Sequence, residues 1–282
     1  MKISKLSVSI LFFTILSFTA CATFQSHSQL SIKSFTSNLS GFSVNSHLIM
    51  GEKEAILVDA QFTRSQADRV VEMVRESGRK LQMIYITHGH PDHYLGLERI
   101  LKAFPGTLVK AKMEVIETIR ETAQGKIDYW KATYKDDLAD TYTLPTELNG
   151  DDIYLEGHLI EVVDLGAGES AHNTALYIPS SKTLISGDSV YGNVHVWLFE
   201  ERLEHVLLNL YELKKLDVLK VLPGHGESGS RNLILENIKY VQKFKDLTSN
   251  QNYVIAKEKM LEIYGTYKLP IILELSLKAN IK

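Results

Sequence analysis

The sequence predicts a layered domain of the α/β or α+β class, built from two β-sheets covered by helices. Two observations predict it: the first strand-like segments follow one another closely, and the later ones alternate with stretches of helical periodicity. At 282 residues and 44% hydrophobic content, the chain is long enough to fill one generous core. Periodicity alone leaves a doubly wound sheet open as an alternative.

The first residues stand outside this domain. MKISKLSVSILFFTILSFTACATFQ has two lysines, then an apolar stretch from Leu6 to Ala20, then small residues. That is the layout of a secretory signal peptide, and the run is short for a membrane span of roughly 20 residues. Residues 1–20 are therefore expected to be a signal of lipoprotein type, cleaved before Cys21, because Phe18-Thr19-Ala20-Cys21 resembles a lipobox. Cleavage after Ala22 is the alternative. Either way the protein is expected to be exported, to the bacterial periplasm or to the outer membrane as a lipoprotein. Cys21 is the only cysteine, so the body has neither an internal disulfide nor a thiolate metal ligand.

Residues 29–282 are expected to form the domain. Gln29–Thr36, Phe42–Met50 and Glu54–Ala60 read as strands. Thr63–Ser77 has apolar residues at Ala67, Val70, Val71 and Val74, a helical spacing, with Gly78 placed to end the helix. Leu81–Thr87 reads as a buried strand, Tyr94–Ala103 as a helix, Thr107–Ala111 as a strand and Met113–Gln124 as a helix. Gly125–Gly150, holding Tyr129, Trp130, Tyr134 and Tyr142, reads as an irregular lid or binding loop. Strands follow at Ile153–Asp164, Thr174–Ile178, Thr183–Ser186 and Val218–Leu222, with helices at Glu200–Lys215 and Asn232–Leu247 and a helical tail from Tyr253.

A net charge of -3 provides no basic stripe for nucleic acid. The chemistry is concentrated in ITHGHPDHYLG, Ile86 to Gly96, just past a predicted strand, where loops collect functional groups. His88, His90, Asp92 and His93 offer imidazole and carboxylate donors suited to zinc and similar divalent ions. In this tight turn His88 and His90 can converge on one point and Asp92 and His93 on a second. One loop cannot close two metal sites, and His172, Asp188 and His225 each lie at the end of another predicted strand, close to glycines. His27, His47, His158 and His205 lack that context and read as structural or solvated.

These residues resemble the motifs of the metallo-β-lactamase superfamily of dinuclear metallohydrolases, in order from Asp59 to Gly226. The resemblance implies an αβ/βα sandwich of two mixed sheets flanked by helices, with the site at one edge. It implies that His88, His90 and His172 hold a first metal, that Asp92, His93 and His225 hold a second, and that Asp188 bridges them. The expected cofactor is two Zn2+, with Fe or Mn also compatible. The implied mechanism is attack by a metal-bridging hydroxide on a carbonyl, with Asp92 as proton relay and Asp59 orienting a ligand loop.

Asp188 separates the members of the family. Antibiotic-hydrolysing members generally carry Cys or Ser in its place, whereas thioesterases, lactonases and several esterases keep the carboxylate. The expected function is hydrolysis of a small-molecule carboxylic ester, lactone or thioester; β-lactam hydrolysis is the alternative, and a lipid-anchored binding protein with a vestigial metal site is the non-enzymatic one. Tyr191, three residues after Asp188, sits where lactonases of the family place a tyrosine that binds the substrate carbonyl, or is simply a packed aromatic. His195 and Trp197 are candidate pocket residues beside it.

Overall fold

A computed structural model describes residues 29–281, so the signal and lipidation expectations at residues 1–28 lie outside the described residues. The first half contains β1 (Ser31–Thr36), β2 (Asn45–Met50), β3 (Glu54–Val58), α1 (Arg64–Ser77), β4 (Lys80–Tyr85), α2 (Pro91–Tyr94), α3 (Leu97–Ala103), β5 (Leu108–Ala111), α4 (Met113–Tyr134) and β6 (Thr146–Glu147). The second contains β7 (Asp152–Leu155), β8 (His158–Gly166), β9 (Asn173–Ile178), β10 (Thr183–Ile185), β11 (Tyr191–Gly192), α5 (Leu203–Lys215), β12 (Lys220–Leu222), β13 (His225–Gly226), β14 (Gly229–Ser230), α6 (Asn232–Asn250), α7 (Tyr253–Tyr264) and α8 (Pro270–Asn280).

The strands make two mixed six-stranded sheets, in the orders β1-β2-β3-β4-β5-β6 and β14-β12-β10-β9-β8-β7, with β11 and β13 as a small parallel pair. In the first sheet β1, β2 and β3 are antiparallel neighbours, while β3 to β6 run parallel. The period-2 alternation of β3 shows how the layers form. Ala55 and Leu57 join the core under α1, α3 and α4, while Ile56 and Val58 face the second sheet. Both faces are buried, which is why EAILV reads as a continuous apolar run. The inter-sheet layer also contains Ile49, Tyr85, Ile160, Leu176 and Leu222. A third core packs α5 to α8 on the outside of the second sheet. The result is the αβ/βα sandwich, and no helix among the described residues is long and apolar enough to cross a membrane.

Three local expectations change. The single strand expected at Ile153–Asp164 is the antiparallel hairpin of β7 and β8, turned at Glu156 and Gly157, which both have positive φ. The segment predicted as Tyr94–Ala103 is two short helices, α2 and α3, broken at Leu95 and Gly96. A Cβ at Gly96 would overlap the carbonyl oxygen of Ala60, so only glycine lets this turn seat against the end of β3. More substantially, α4 does not stop at Gln124. Its buried stripe of Ile119, Ala123 and Ile127 runs on through Trp130 and Tyr134, and the open space around Gly125 shows that this glycine faces away from the packed side. A single exposed glycine costs a helix only about 1 kcal/mol, less than this stripe recovers, so the first ten residues of the expected irregular segment are helix.

His47 on β2 is buried and structural. Ser34 Oγ donates to its Nδ1 at 2.7 Å, and its Nε2 donates to the Pro223 carbonyl at 3.0 Å, tying β2 to the loop that carries His225. Burial drives its pKa down from 6.5 to about 4. Its neutral form therefore contributes stability that is fully present above pH 6.5 and is lost as the pH falls towards 4. His47→Gln should flatten that part of the pH–stability curve by about 2–4 kcal/mol, at 1.36 kcal/mol per pKa unit, in urea unfolding measured from pH 7.5 to 4.

Candidate metal centre

The site forms where the two sheets are joined at one edge. Beyond β4, the Thr87 carbonyl accepts from the Thr174 N–H at 3.1 Å and from its Oγ1 at 2.7 Å, and His88 bridges to Asn173 at the start of β9. Tyr85 donates to Thr174 Oγ1 at 3.0 Å. On the other flank the Asn45 side chain donates to the carbonyls of Pro223 and Gly226, holding the turn after β12 against β2. Chain segments distant in sequence thus deliver their polar side chains to one buried point.

Two groups of donors result. His88, His90, Glu169 and Asp188 form one, and Asp92, His93 and His225 the other, with the donor atoms of each within 4.8 Å of one another. Asp188 reaches both. Its Oδ2 lies 3.7 Å from His88 Nε2 and 3.0 Å from His225 Nε2, and its Oδ1 lies 3.3 Å from His93 Nε2. His225 Nε2 is also 3.4 Å from Asp92 Oδ2. Gly224 makes room for this, since a Cβ there would run into Asp188 Oδ1.

The outer partners fix which nitrogen of each histidine faces inward. Asp59, in the left-handed region with φ +61°, accepts from Thr87 N and Thr87 Oγ1, both at 2.9 Å, and from His93 Nδ1 at 2.8 Å. Because the Thr87 hydroxyl spends its proton on Asp59, it accepts from His88 Nδ1 at 2.9 Å. His225 Nδ1 donates to the Phe42 carbonyl at 2.7 Å. All three rings therefore turn Nε2 towards the centre, so that in the neutral form each offers its lone pair there, the arrangement that metal-binding histidines require. His90 faces the other way round, with Nδ1 on the cluster, 2.8 Å from Glu169 Oε1, and Nε2 3.7 Å from Glu200 Oε1.

The electrostatics are those of a buried, charge-dense site. Burial opposes ionisation of Asp188, yet His225, His93 and His88 around it hold its carboxyl well below the usual carboxylate range. Burial likewise opposes charge on His93, but Asp188, Asp59 and Asp92 outweigh it and raise its pKa well above 6.5. Burial pushes Glu169 up. His88 Nε2 and Glu169 Oε2 are buried without a hydrogen-bond partner among the described residues and face each other at 3.7 Å. Orphaned donors of this kind converging on one point are what a divalent cation satisfies, so the residues present fit metal ions.

One expected ligand is not at this centre. His172 turns outward, its Nε2 2.8 Å from Asp164 Oδ1, and belongs to neither donor group. Glu169 occupies that corner instead, buried to 3% exposure, its Oε2 3.7 Å from His88 Nε2. The loop between β8 and β9 explains the exchange. Gly166 is left-handed at φ +66°, and Ser170 Oγ donates to the His172 carbonyl and to Asn173 Oδ1, curling the chain so that residue 169 points in and residue 172 points out. The signal was present in GAGESAHNT as an acidic residue between glycine and serine, but a histidine three places on was the more obvious ligand. Glu200 also went unassigned in the sequence, lying far along the chain from its partner His90.

Tyr191 does sit at the centre: its hydroxyl donates to Asp188 Oδ2 at 3.0 Å and its ring stacks on His225 at 5.3 Å. The donor groups open into a pocket of about 480 Å³, whose lining includes Tyr191, His195, Trp197, Tyr129 and Trp130. Tyr134 is outside that lining and packs on Phe62 instead.

The profile of the metallo-beta-lactamase superfamily matches residues 39–225. Among solved structures, a metallo-beta-lactamase family protein from Thermus thermophilus superposes with a TM-score of 0.64 at 18% identity, covering 88% of this chain and 93% of that one. A metallo-beta-lactamase from Pontibacter korlensis does so at 0.59 and 18%, covering 76% and 99%. These likenesses concern the fold. In sequence, the chain is 36% identical over 64 residues to the uncharacterized protein YobT of Bacillus subtilis (strain 168), covering 23% of this chain and 27% of that protein. It is 35% identical over 65 residues to a hydroxyacylglutathione hydrolase of Francisella philomiragia subsp. philomiragia, covering 23% and 24%. The chain thus spans about a quarter of the curated relatives it matches.

Asp59→Ala should lower metal affinity about 10–100-fold, the usual cost of losing a group that orients ligands, as measured by calorimetric titration of the metal-free protein. In the same assay His172→Ala should leave metal stoichiometry unchanged, while Glu169→Ala should weaken or remove one equivalent.

Proposed function

The chain belongs to the metallo-beta-lactamase superfamily, and from that premise we propose that it is a metal-dependent hydrolase of a small-molecule carboxylic ester, lactone or thioester. The observation that carries this is Asp188: one carboxylate lies within reach of both donor groups at the floor of a largely apolar pocket. In this reading His88, His90, Glu169 and Asp188 hold one ion, and Asp92, His93, His225 and Asp188 the other, two Zn2+ in the first instance.

Two divalent ions held by these residues would make hydroxide available near neutral pH and would polarise a carbonyl. The remaining work belongs to the chain. Asp92, partly buried and lining the pocket, would pass a proton to the leaving group. The Tyr191 hydroxyl, which donates to Asp188, would take the role of hydrogen-bonding the substrate carbonyl. Phe42, Trp130 and Phe199 line the pocket with apolar surface suited to an acyl chain. Export, with a lipid anchor at Cys21, belongs to the same proposal and rests on the composition of the first 25 residues; the mass of the mature protein purified from membranes tests it.

The deciding experiment measures initial rates on a matched lactone, thioester, aryl ester and β-lactam, each with and without chelator. Chelator-sensitive turnover of the lactone, thioester or ester is expected. Turnover confined to the β-lactam would overturn the substrate class, and silence in protein that binds metal would leave a binding role. Asp188→Ala should reduce the rate at least about a hundredfold, beyond the usual cost of changing a group that only orients ligands; full activity in that variant would exclude a shared ligand.

A further inference from the structure

Histidines aside, the charged side chains that line the pocket are Asp92, Glu169, Asp188, Glu200 and one cation, Lys126. The lysine stands on α4, one turn before Tyr129 and Trp130, so that all three share a face of the helix and all three line the pocket. Its side chain is partly exposed. Its Nζ donates to the Gly89 carbonyl at 3.0 Å, which places the cation against the turn between His88 and His90. Lys126 therefore stands where the apolar wall of the pocket meets the metal centre.

An ammonium group carries three hydrogens and accepts none. The Gly89 carbonyl takes one of them, and among the described residues no carboxylate stands within ion-pair distance. Burial lowers the pKa of Lys126, and the charges acting against burial are those of Asp92, Glu169 and Glu200. In the proposed enzyme none of these three is left for it. Asp92 and Glu169 belong to the two donor groups, where bound ions would take up their charge. Glu200 lies 3.3 Å from Arg202 and 3.7 Å from His90. The lysine would then be a partly buried cation beside a centre whose carboxylates are already committed. Such a charge is stabilised by an anion from outside the protein.

We propose that Lys126 anchors a carboxylate on the acyl part of the substrate, so that the preferred esters, lactones or thioesters carry a second, ionised carboxyl group a short chain away from the scissile carbonyl. The acyl part is favoured because Lys126 shares its helix face with Trp130, part of the surface suited to an acyl chain. A charge-assisted pair between largely apolar walls is stronger than one at an open surface. A neutral acyl group would leave the ammonium unpartnered, and sites built for a polar group bind the analogue lacking it less well. This rests on the reading that the pocket holds the acyl group of a hydrolase substrate.

The test is calorimetric binding of product-like acids to the metal-loaded protein, which needs no turnover. Succinate, glutarate and adipate are each compared with the monoamide of the same length, which keeps one carboxylate for the metals and is neutral at the other end. At one length the diacid should bind about tenfold more tightly, the effect of a hydrogen bond to a charged group. In Lys126→Gln with its metal content matched to the parent, that advantage should fall to about threefold or less, since only the charge of the centre itself then favours the diacid. Lys126→Arg, which keeps the positive charge, should retain most of it. No advantage at any length, or one that survives in Lys126→Gln, would overturn the anchor while leaving the hydrolase reading intact. If Lys126→Gln does not fill with metal, Lys126→Arg decides: retention of the advantage supports the anchor and its loss overturns it. Failure of every acid and monoamide to bind, in protein that also hydrolyses no ester, lactone or thioester, would overturn both readings.

Discussion

The carboxylate of Asp59 is the constraint on which the centre depends. It is buried, it belongs to neither donor group, and it takes hydrogen bonds from the backbone and hydroxyl of Thr87 and from His93. Those three contacts settle the tautomer of His93 directly and that of His88 through Thr87. A free imidazole presents its lone pair from either nitrogen; a ring whose Nδ1 hydrogen is committed presents it only from Nε2. The left-handed backbone at Asp59 and at Gln61 turns the chain so that Ala60 N–H meets the His93 carbonyl and Gly96 N–H meets Gln61, docking the histidine turn against the end of β3. Orientation of the ligands is thus set by the sheet edge rather than by the turn that carries them.

The exchange of Glu169 for His172 has a consequence for charge. Asp92, Asp188 and Glu169 bring three carboxylates to a site whose other donors are imidazoles, neutral when they hold metal, so two divalent cations would leave the centre with one net positive charge before any water or substrate binds. A histidine in the Glu169 corner would leave two. The added carboxylate also hardens the group containing His88 and His90, since carboxylate oxygen suits manganese and iron relatively better than a third imidazole does. The same substitution explains why Glu169 Oε2 is buried without a hydrogen-bond partner among the described residues: it lies in a donor group where a cation would offset the cost of burial.

Much of this was legible along the chain because the informative signals were local. Strand ends adjoining glycines marked Asp188 and His225, and the crowding of His88, His90, Asp92 and His93 into one turn had no ordinary structural reason. What misled was also local. A glycine inside a helical stripe read as a breaker at Gly125, although the stripe from Ile119 to Tyr134 continues past it and buries aromatic surface against Phe62 and Phe42. Between β8 and β9 a histidine attracted the assignment, although whether residue 169 or 172 points inward depends on the curl of a loop set by Gly166, Ser170 and Asn173.

By itself the sequence determined the alternation that separates the layers, the turn that gathers metal donors, and the carboxylate at residue 188. All three are properties of spacing within a few residues, where backbone geometry permits few outcomes. Tertiary structure alone decided which donors meet. The pairing of Glu169 with His90, of Glu200 with the far side of that ring, and of His195 with Tyr240 joins residues at least 45 positions apart. Such contacts depend on how two sheets and their covering helices close on one another, and no local preference records that closure.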